Sequence, residues 1–207
     1  MIQLENVTIY KHNTLYFNNL NIHLLQGNTY GIIGRNGSGK TLLFHTIAGN
    51  LLPVQGSIIA SKEIRWGLVH SEPRYYHFST VYDYLLHFYE LEFHMALQLS
   101  HNFGIPLHVP ANELPGSKKF LLEVLIALHP ENDVILVDNS WGILDNYNRQ
   151  RLLESLGSYA MDRTIVSFSV NQNDLDSYCQ FIYEIDNFGL VLKRSNLECK
   201  PLLTSIN

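Results

Sequence analysis

Cysteine is scarce: Cys179 and Cys199 are the only two, and no C-x-x-C pair occurs. This excludes a disulfide framework and a thiolate zinc site, and makes a reducing compartment the expectation. Basic residues are also few. Lys and Arg total 14 against 19 Asp and Glu, a formal charge of -5, so the electrostatic footprint of a nucleic-acid binder is missing and no nucleic-acid partner is expected. The start, MIQLENVTIY, lacks the basic and then apolar run of a secretion signal, and a cytoplasmic location follows as an expectation. Long apolar runs are absent too. Thr41 to Ser61 contains no Asp, Glu, Lys or Arg, yet it carries His45, Thr46, Gly49-Asn50, Pro53, Gln55 and Gly56, which would strand polar groups and broken backbone in lipid. No repeat, low-complexity tract or linker interrupts the chain.

What is present fits one domain over 1–207. The 207 residues are 46% apolar, enough for a single core. Leu20, Ile22 and Leu24 alternate with Asn21 and His23, the period of a half-buried strand, and Gly27-Asn28 marks a turn. The N-terminal thirty residues therefore read as antiparallel. Strands are also predicted over Tyr30–Ile33, Ser57–Ala60, Arg65–Val69, Val134–Val137, Thr164–Ser169 and Phe181–Ile185, the last two each after a helical stretch. Thr80 and Asp83 suggest a capping box ahead of a helical stripe at Val81, Leu85, Phe88 and Leu91. A later helix has Pro115 in its first turn and an apolar face of Leu121, Val124, Leu125 and Leu128. The expected fold class is α/β with a mainly parallel sheet, an N-terminal antiparallel β subdomain and a small helical subdomain inserted at about 74–130.

Between the predicted strand Tyr30–Ile33 and the helix that follows, Gly34-Arg35-Asn36-Gly37-Ser38-Gly39-Lys40-Thr41 fills every fixed position of G-x-x-x-x-G-K-[ST]. Glycines let such a loop fold around an anion with its amides inward, and the helix adds its positive dipole end, which brings Leu42 into the site as well. Lys40 is expected to reach the β- and γ-phosphates of a nucleoside triphosphate. The Thr41 hydroxyl is suited to Mg²⁺, with Asp138 fixing the metal's water shell from the neighbouring strand. The cofactors read from these residues are ATP and Mg²⁺. A small phosphate-loop kinase is a poorer reading, because Arg74 is the only arginine in 74–130, where such a kinase needs an arginine-bearing lid.

From residue 1 to about 193 the order and spacing of these features resemble the nucleotide-binding domain of the ATP-binding cassette (ABC) transporter family. Glu113-Leu114-Pro115-Gly116-Ser117-Lys118 falls where the family has its signature LSGGQ. Val134 to Asp138 matches the Walker B strand, and Leu144-Asp145, seven residues beyond Asp138, matches the D-loop. The resemblance implies that Tyr10 stacks on adenine, and that Pro115, Gly116, Ser117 and Lys118 face the nucleotide of a partner subunit. It further implies a homodimer or heterodimer of nucleotide-binding subunits, peripheral on the inner face of the cell membrane and docked on a transmembrane transporter subunit.

Several aligned positions depart from the family pattern. Asn139 stands where a glutamate polarises the attacking water, and loss of a general base typically costs about 10²- to 10⁴-fold. Ser71 stands for the glutamine that contacts Mg²⁺, and Val170 for the switch histidine that contacts the γ-phosphate. Pro115 removes a hydroxyl and an N–H from the signature, while Gly116 and Ser117 can still point amides outward. Lys118 either offers positive charge across a dimer interface or is a solvated lysine beside Lys119. The resemblance thus points to a degenerate member, binding ATP and hydrolysing it slowly or not at all, with a soluble nucleotide-sensing scaffold of the same fold as the alternative.

Two further patterns stay open at this stage. Tyr75, Tyr76, Phe78, Tyr82, Tyr84, Phe88, Tyr89 and Phe93 lie where the family receives a helix of its membrane partner. About half of them are expected to pack the helical subdomain instead, with Phe88 the foremost core residue. His87, His94, His101 and His108 recur every seven residues, roughly 10 Å apart on a helix, too far to share one metal ion.

Overall fold

The computed structural model describes residues 1–60, 63–70, 80–89, 93–138, 141–159 and 163–196. Ten-residue β1 (Ile2–Lys11) pairs antiparallel with β2 (Thr14–Leu24) and with β4 (Gln55–Ala60). The second sheet has the order β5-β6-β7-β3-β8-β9, formed by Trp66–Val69, Val134–Val137, Thr164–Ser169, Thr29–Ile33, Phe181–Asp186 and Gly189–Ser195. All its pairings are parallel except β8 with β9. The expected strands are all present. β9 is an addition that the sequence reading missed, because its outward Val191 and Leu192 are about half exposed and break the strand's apolar alternation. Only a short 3-10 turn, Gln172–Asp174, and further turns precede β8, not the helix expected there.

Strands β3, β6 and β7 are buried along their whole length, and alternate side chains serve two different cores. Val134 and Leu136 join Leu4, Ile22, Ile32, Leu43, Phe44 and Phe168 between the antiparallel sheet and helix α1 (Lys40–Ile47). Ile135 and Val137 join Tyr84, Leu85, Leu121, Val124 and Leu125 on the opposite face. That face is covered by α2 (Val81–Tyr89), α3 (Phe93–Asn102) and α4 (Gly116–Ala127). A fifth helix, α5 (Asn146–Tyr159), leads into β7. Close approach of β5 to α4 requires a glycine. A Cβ on Gly67 would stand 2.3 Å from the Ala127 carbonyl oxygen.

The capping box ahead of α2 is present: the Thr80 hydroxyl accepts the Asp83 amide at 3.2 Å and donates to the Asp83 carboxylate at 2.7 Å. Pro115 is not in the first turn of α4 but just before it, as the N-cap, its carbonyl accepting from the Lys119 amide at 2.9 Å. The aromatic residues divide differently from the expectation. Tyr84 and Tyr89 are the buried ones, and Phe88 only packs against them from a half-buried position. Tyr89 tolerates full burial because its hydroxyl donates to the Leu125 carbonyl, which removes the cost of an unpaired phenol. Tyr82 stays at the surface against Phe93 and His108. Tyr75, Tyr76 and Phe78 lie outside the described residues. Among the described residues no three metal-binding side chains gather, so the heptad of histidines forms no cluster.

Candidate functional site

The loop leaves β3 at its C-terminal end. There the Gly34 amide donates to the Ser169 carbonyl at the end of β7, 3.2 Å away. Gly39 enters α1 with φ 100°, and a Cβ there would meet Tyr16 and Phe17 ring carbons at 2.9 Å. Conformation and space both demand glycine at this point. No side chain caps α1, so the first-turn amides remain available to an anion, and no carboxylate in that turn opposes one.

Lys40 is only 5% exposed. Its ammonium donates to the carbonyls of Gly34 at 2.7 Å and Arg35 at 3.0 Å, which curls the loop around it. Burial holds its pKa below the ordinary lysine value, opposed by the negative charge of Asp138. The Thr41 hydroxyl donates to Asp138 Oδ2 at 3.0 Å. Asp138 does not come from the neighbouring strand as expected: β7 lies between β3 and β6. The carboxylate leaves the end of β6 and reaches Thr41 across that intervening strand. Ser38 Oγ is buried beneath Gly34 without a hydrogen-bond partner, a polar atom the loop alone does not satisfy.

Two open clefts flank the loop. The larger, about 550 Å³, runs from Arg35 and Ser38 to Glu184–Phe188 on the β8–β9 hairpin. The smaller, about 250 Å³, is lined by Lys11, Tyr16, Asn36, Gly37, Gly39, Lys40, Thr41 and Leu42. Size favours the first, but the second holds the ammonium, the hydroxyl beside a carboxylate and the open helix end, and it is the phosphate-binding candidate. Tyr10 does not reach it. That residue is 46% exposed and lines neither cleft, because its neighbour Ile9 turns inward and a bulge shifts the β1–β2 register between them. Tyr16 and Lys11 lie against the loop instead. Sequence reading missed both, although Tyr16 sits one residue from the fully buried Phe17 on a strand that alternates.

The remaining expected positions are less gathered. Val170 follows Ser169 directly and is 52% exposed, its isopropyl group offering no hydrogen bond. Ser71 and Asn139 lie outside the described residues. Pro115 and Gly116 are exposed at the start of α4, whose first amides carry no side-chain cap. Lys118 is half-buried, and its ammonium donates to the Phe103 carbonyl at 2.6 Å, tying α4 to the end of α3. One acid escaped the sequence reading. Glu123 on α4 is 8% exposed, and burial pushes its pKa up to about 7.

The residues fit a magnesium nucleotide. Thr41 and Asp138 converge as an oxygen pair of the kind Mg²⁺ takes, and the loop amides with Lys40 suit phosphate oxygens. The family model described as ABC transporter matches residues 17–142, well over half of the chain. The chain belongs to the ABC transporter family. Among curated relatives of this ABC protein, the ribosome protection protein VmlR of Bacillus subtilis is 28% identical over 196 residues, 95% of this chain but 33% of the relative. The chain thus spans about a third of that relative's length. The ATP-binding protein BexA of Haemophilus influenzae is 25% identical over 196 residues, which cover 90% of this chain and 90% of that one. A solved dimeric ATP-binding cassette in a post-hydrolysis state, bound to ADP and Pi, superposes with a TM-score of 0.81 at 17% identity, covering 94% of this chain and 98% of that one. This last is a likeness of fold. Among the described residues no helix of the ABC protein is long and apolar enough to cross a membrane.

Proposed function

We propose that this chain is the ATP-binding subunit of an ABC transporter, which binds Mg-ATP in the smaller cleft and hydrolyses it slowly or not at all. The observation that carries the reading is the buried Lys40 beside an uncapped helix start, with Thr41 and Asp138 3.0 Å apart at its edge. Lys40 and the amides from Gly37 to Leu42 hold the phosphates, and Tyr16 with Lys11 lies where base and sugar leave the loop. Thr41 and Asp138 would hold Mg²⁺, and the ion would neutralise charge on the phosphates.

Slow turnover is argued from side chains that cannot do their part. The amide of Asn139 takes no proton, Val170 donates nothing to a γ-phosphate, and a serine such as Ser71 is shorter than a glutamine. Each lost donor of this kind typically costs about 10²- to 10³-fold, although such losses do not multiply simply. ATP then acts as a clamp. Its binding closes two nucleotide-binding subunits, identical or different, and moves a membrane-spanning partner by differential affinity for open and closed states. The dimer bound to ADP and Pi among the structural neighbours supports such pairing, with Gly116 and Ser117 offering amides across it.

A tagged pull-down from native membranes with and without ATP tests this reading, combined with a turnover assay on the purified chain. A co-purified membrane protein and turnover far below the usual median of about 10 s⁻¹ are expected. Turnover near that median would refute slow hydrolysis, and an eluate without membrane protein would favour a soluble nucleotide-sensing regulator.

A further inference from the structure

From the phosphate loop a run of polar contacts leads across the sheet to the turn before α5. The Gly34 amide holds the Ser169 carbonyl at 3.2 Å. The Ser169 hydroxyl donates to Asp174 Oδ2 at 2.7 Å and accepts the Asn171 amide at 3.1 Å. The other oxygen of Asp174 takes Arg149 Nη1 at 3.0 Å. The Arg149 amide donates to the Asp145 carbonyl at 2.9 Å, and the Asp145 carboxylate accepts both the amide and the side chain of Asn148 at 2.8 Å. Those two hydrogen bonds, with a smaller contribution from nearby Lys118, hold the Asp145 carboxyl below its ordinary range.

The middle link is the constrained one. Asp174 is 6% exposed, so its charge depends on Ser169 and Arg149 together, whereas the Arg149 side chain is 28% exposed. A buried carboxylate held at both oxygens tolerates little displacement, because losing Arg149 leaves its charge unpaired and losing Ser169 leaves a buried oxygen without a donor. A shift of Gly34 would therefore be passed by Ser169 to a group held at both of its oxygens.

We propose that Asp174 is a positioning residue which, through Arg149, sets the Leu144–Asp145 turn against the phosphate loop, so that nucleotide in the loop is sensed at that turn. This rests on the reading that the loop takes nucleotide. An ion pair that merely stabilises the fold would leave the turn's response intact.

Amide chemical shifts of the full-length chain, followed by NMR during titration with Mg-ADP, separate these cases. In the wild type, amides of 34–41 and of 144–149 are expected to move together. In Asp174→Asn, which keeps shape and the Ser169 contact, nucleotide affinity is expected to stay within about threefold. Loop shifts persist in that variant, while those of 144–149 fall by roughly half or more. Arg149→Lys, which retains charge, restores part of the response. Should Asp174→Asn not fold, Arg149→Gln breaks the same pair from its more exposed side with the same expected readout. Full-sized shifts at 144–149 in Asp174→Asn or Arg149→Gln would overturn the proposal alone, as would a wild type whose loop responds and whose turn does not. A wild type in which neither region responds would overturn the nucleotide reading and the proposal with it.

Discussion

The phosphate loop and the rim that faces outward from α4 and the end of β7 are built on different principles. The loop is fixed by backbone: the Gly34 amide on the Ser169 carbonyl, the left-handed Gly39, and a lysine held by two carbonyls. Main-chain amides survive most sequence change, and every motif position is in place. At the rim the work falls to side chains, and there stand Val170, Pro115 and a Lys118 committed to Phe103. The difference teaches that an anion site built from backbone and a rim built from side chains are separable parts of the chain, so that a change in one need not disturb the other.

Removing the loop's one buried cation is the harshest way to test that division. Lys40→Ala deletes charge-assisted hydrogen bonds to phosphate and is expected to weaken Mg-ATP by about 10³-fold in calorimetry, whereas Pro115→Ser at the rim should leave the affinity of the isolated chain unchanged. Next in size is a pH effect on the helix that bears the rim. Glu123 has its pKa raised from 4.5 to about 7, so its contribution to stability is full below about 4.5 and is lost as pH rises through about 7. Denaturant titrations should show a loss approaching about 3 kcal/mol by pH 8 to 9, and Glu123→Gln should abolish that slope. A flat wild-type profile would contradict the burial argument.

Restoring the rim's chemistry sharpens the comparison. Asn139→Glu together with Val170→His is expected to raise turnover by about 10²-fold with little change in affinity, each alone giving less; no gain from the pair would place the deficit elsewhere. Gly39→Ala, forced into a left-handed conformation against Tyr16 and Phe17, should cost about 1–3 kcal/mol of stability in thermal unfolding. The smallest effect is protonic. Burial holds the Lys40 pKa below 10.5, so its charge is a net cost at neutral pH and that cost is relieved above the lowered value. Phosphate at the loop raises the value again. Binding just below pH 10.5 should therefore take up protons, visible as a dependence of the calorimetric heat on buffer ionisation enthalpy, and this dependence should be absent in Lys40→Ala.

The loop and the strands were legible in the sequence because each rests on a local pattern: fixed glycine spacing, apolar runs such as Val134–Val137, and the Thr80–Asp83 cap. What escaped depends on contacts distant in sequence. Nothing near Tyr16 announces that Gly39 packs on its ring, and the bulge that turns Tyr10 outward arises from pairing with β2. Asp138 lies 3.0 Å from the Thr41 hydroxyl, but the strand order that puts β7 between their strands is a property of the whole sheet. Lys118 and Glu123 show the same limit: one finds a carbonyl fifteen residues back, and the other is buried where a helical wheel offers no reason for a carboxylate.

The most direct test of the account is to incubate the chain with terminally labelled Mg-ATP, remove free nucleotide, and identify what stays bound. About one nucleotide per chain is expected to be retained, still as ATP, and to be lost in Lys40→Ala. Absence of retained nucleotide, or its recovery as ADP within seconds, would contradict it.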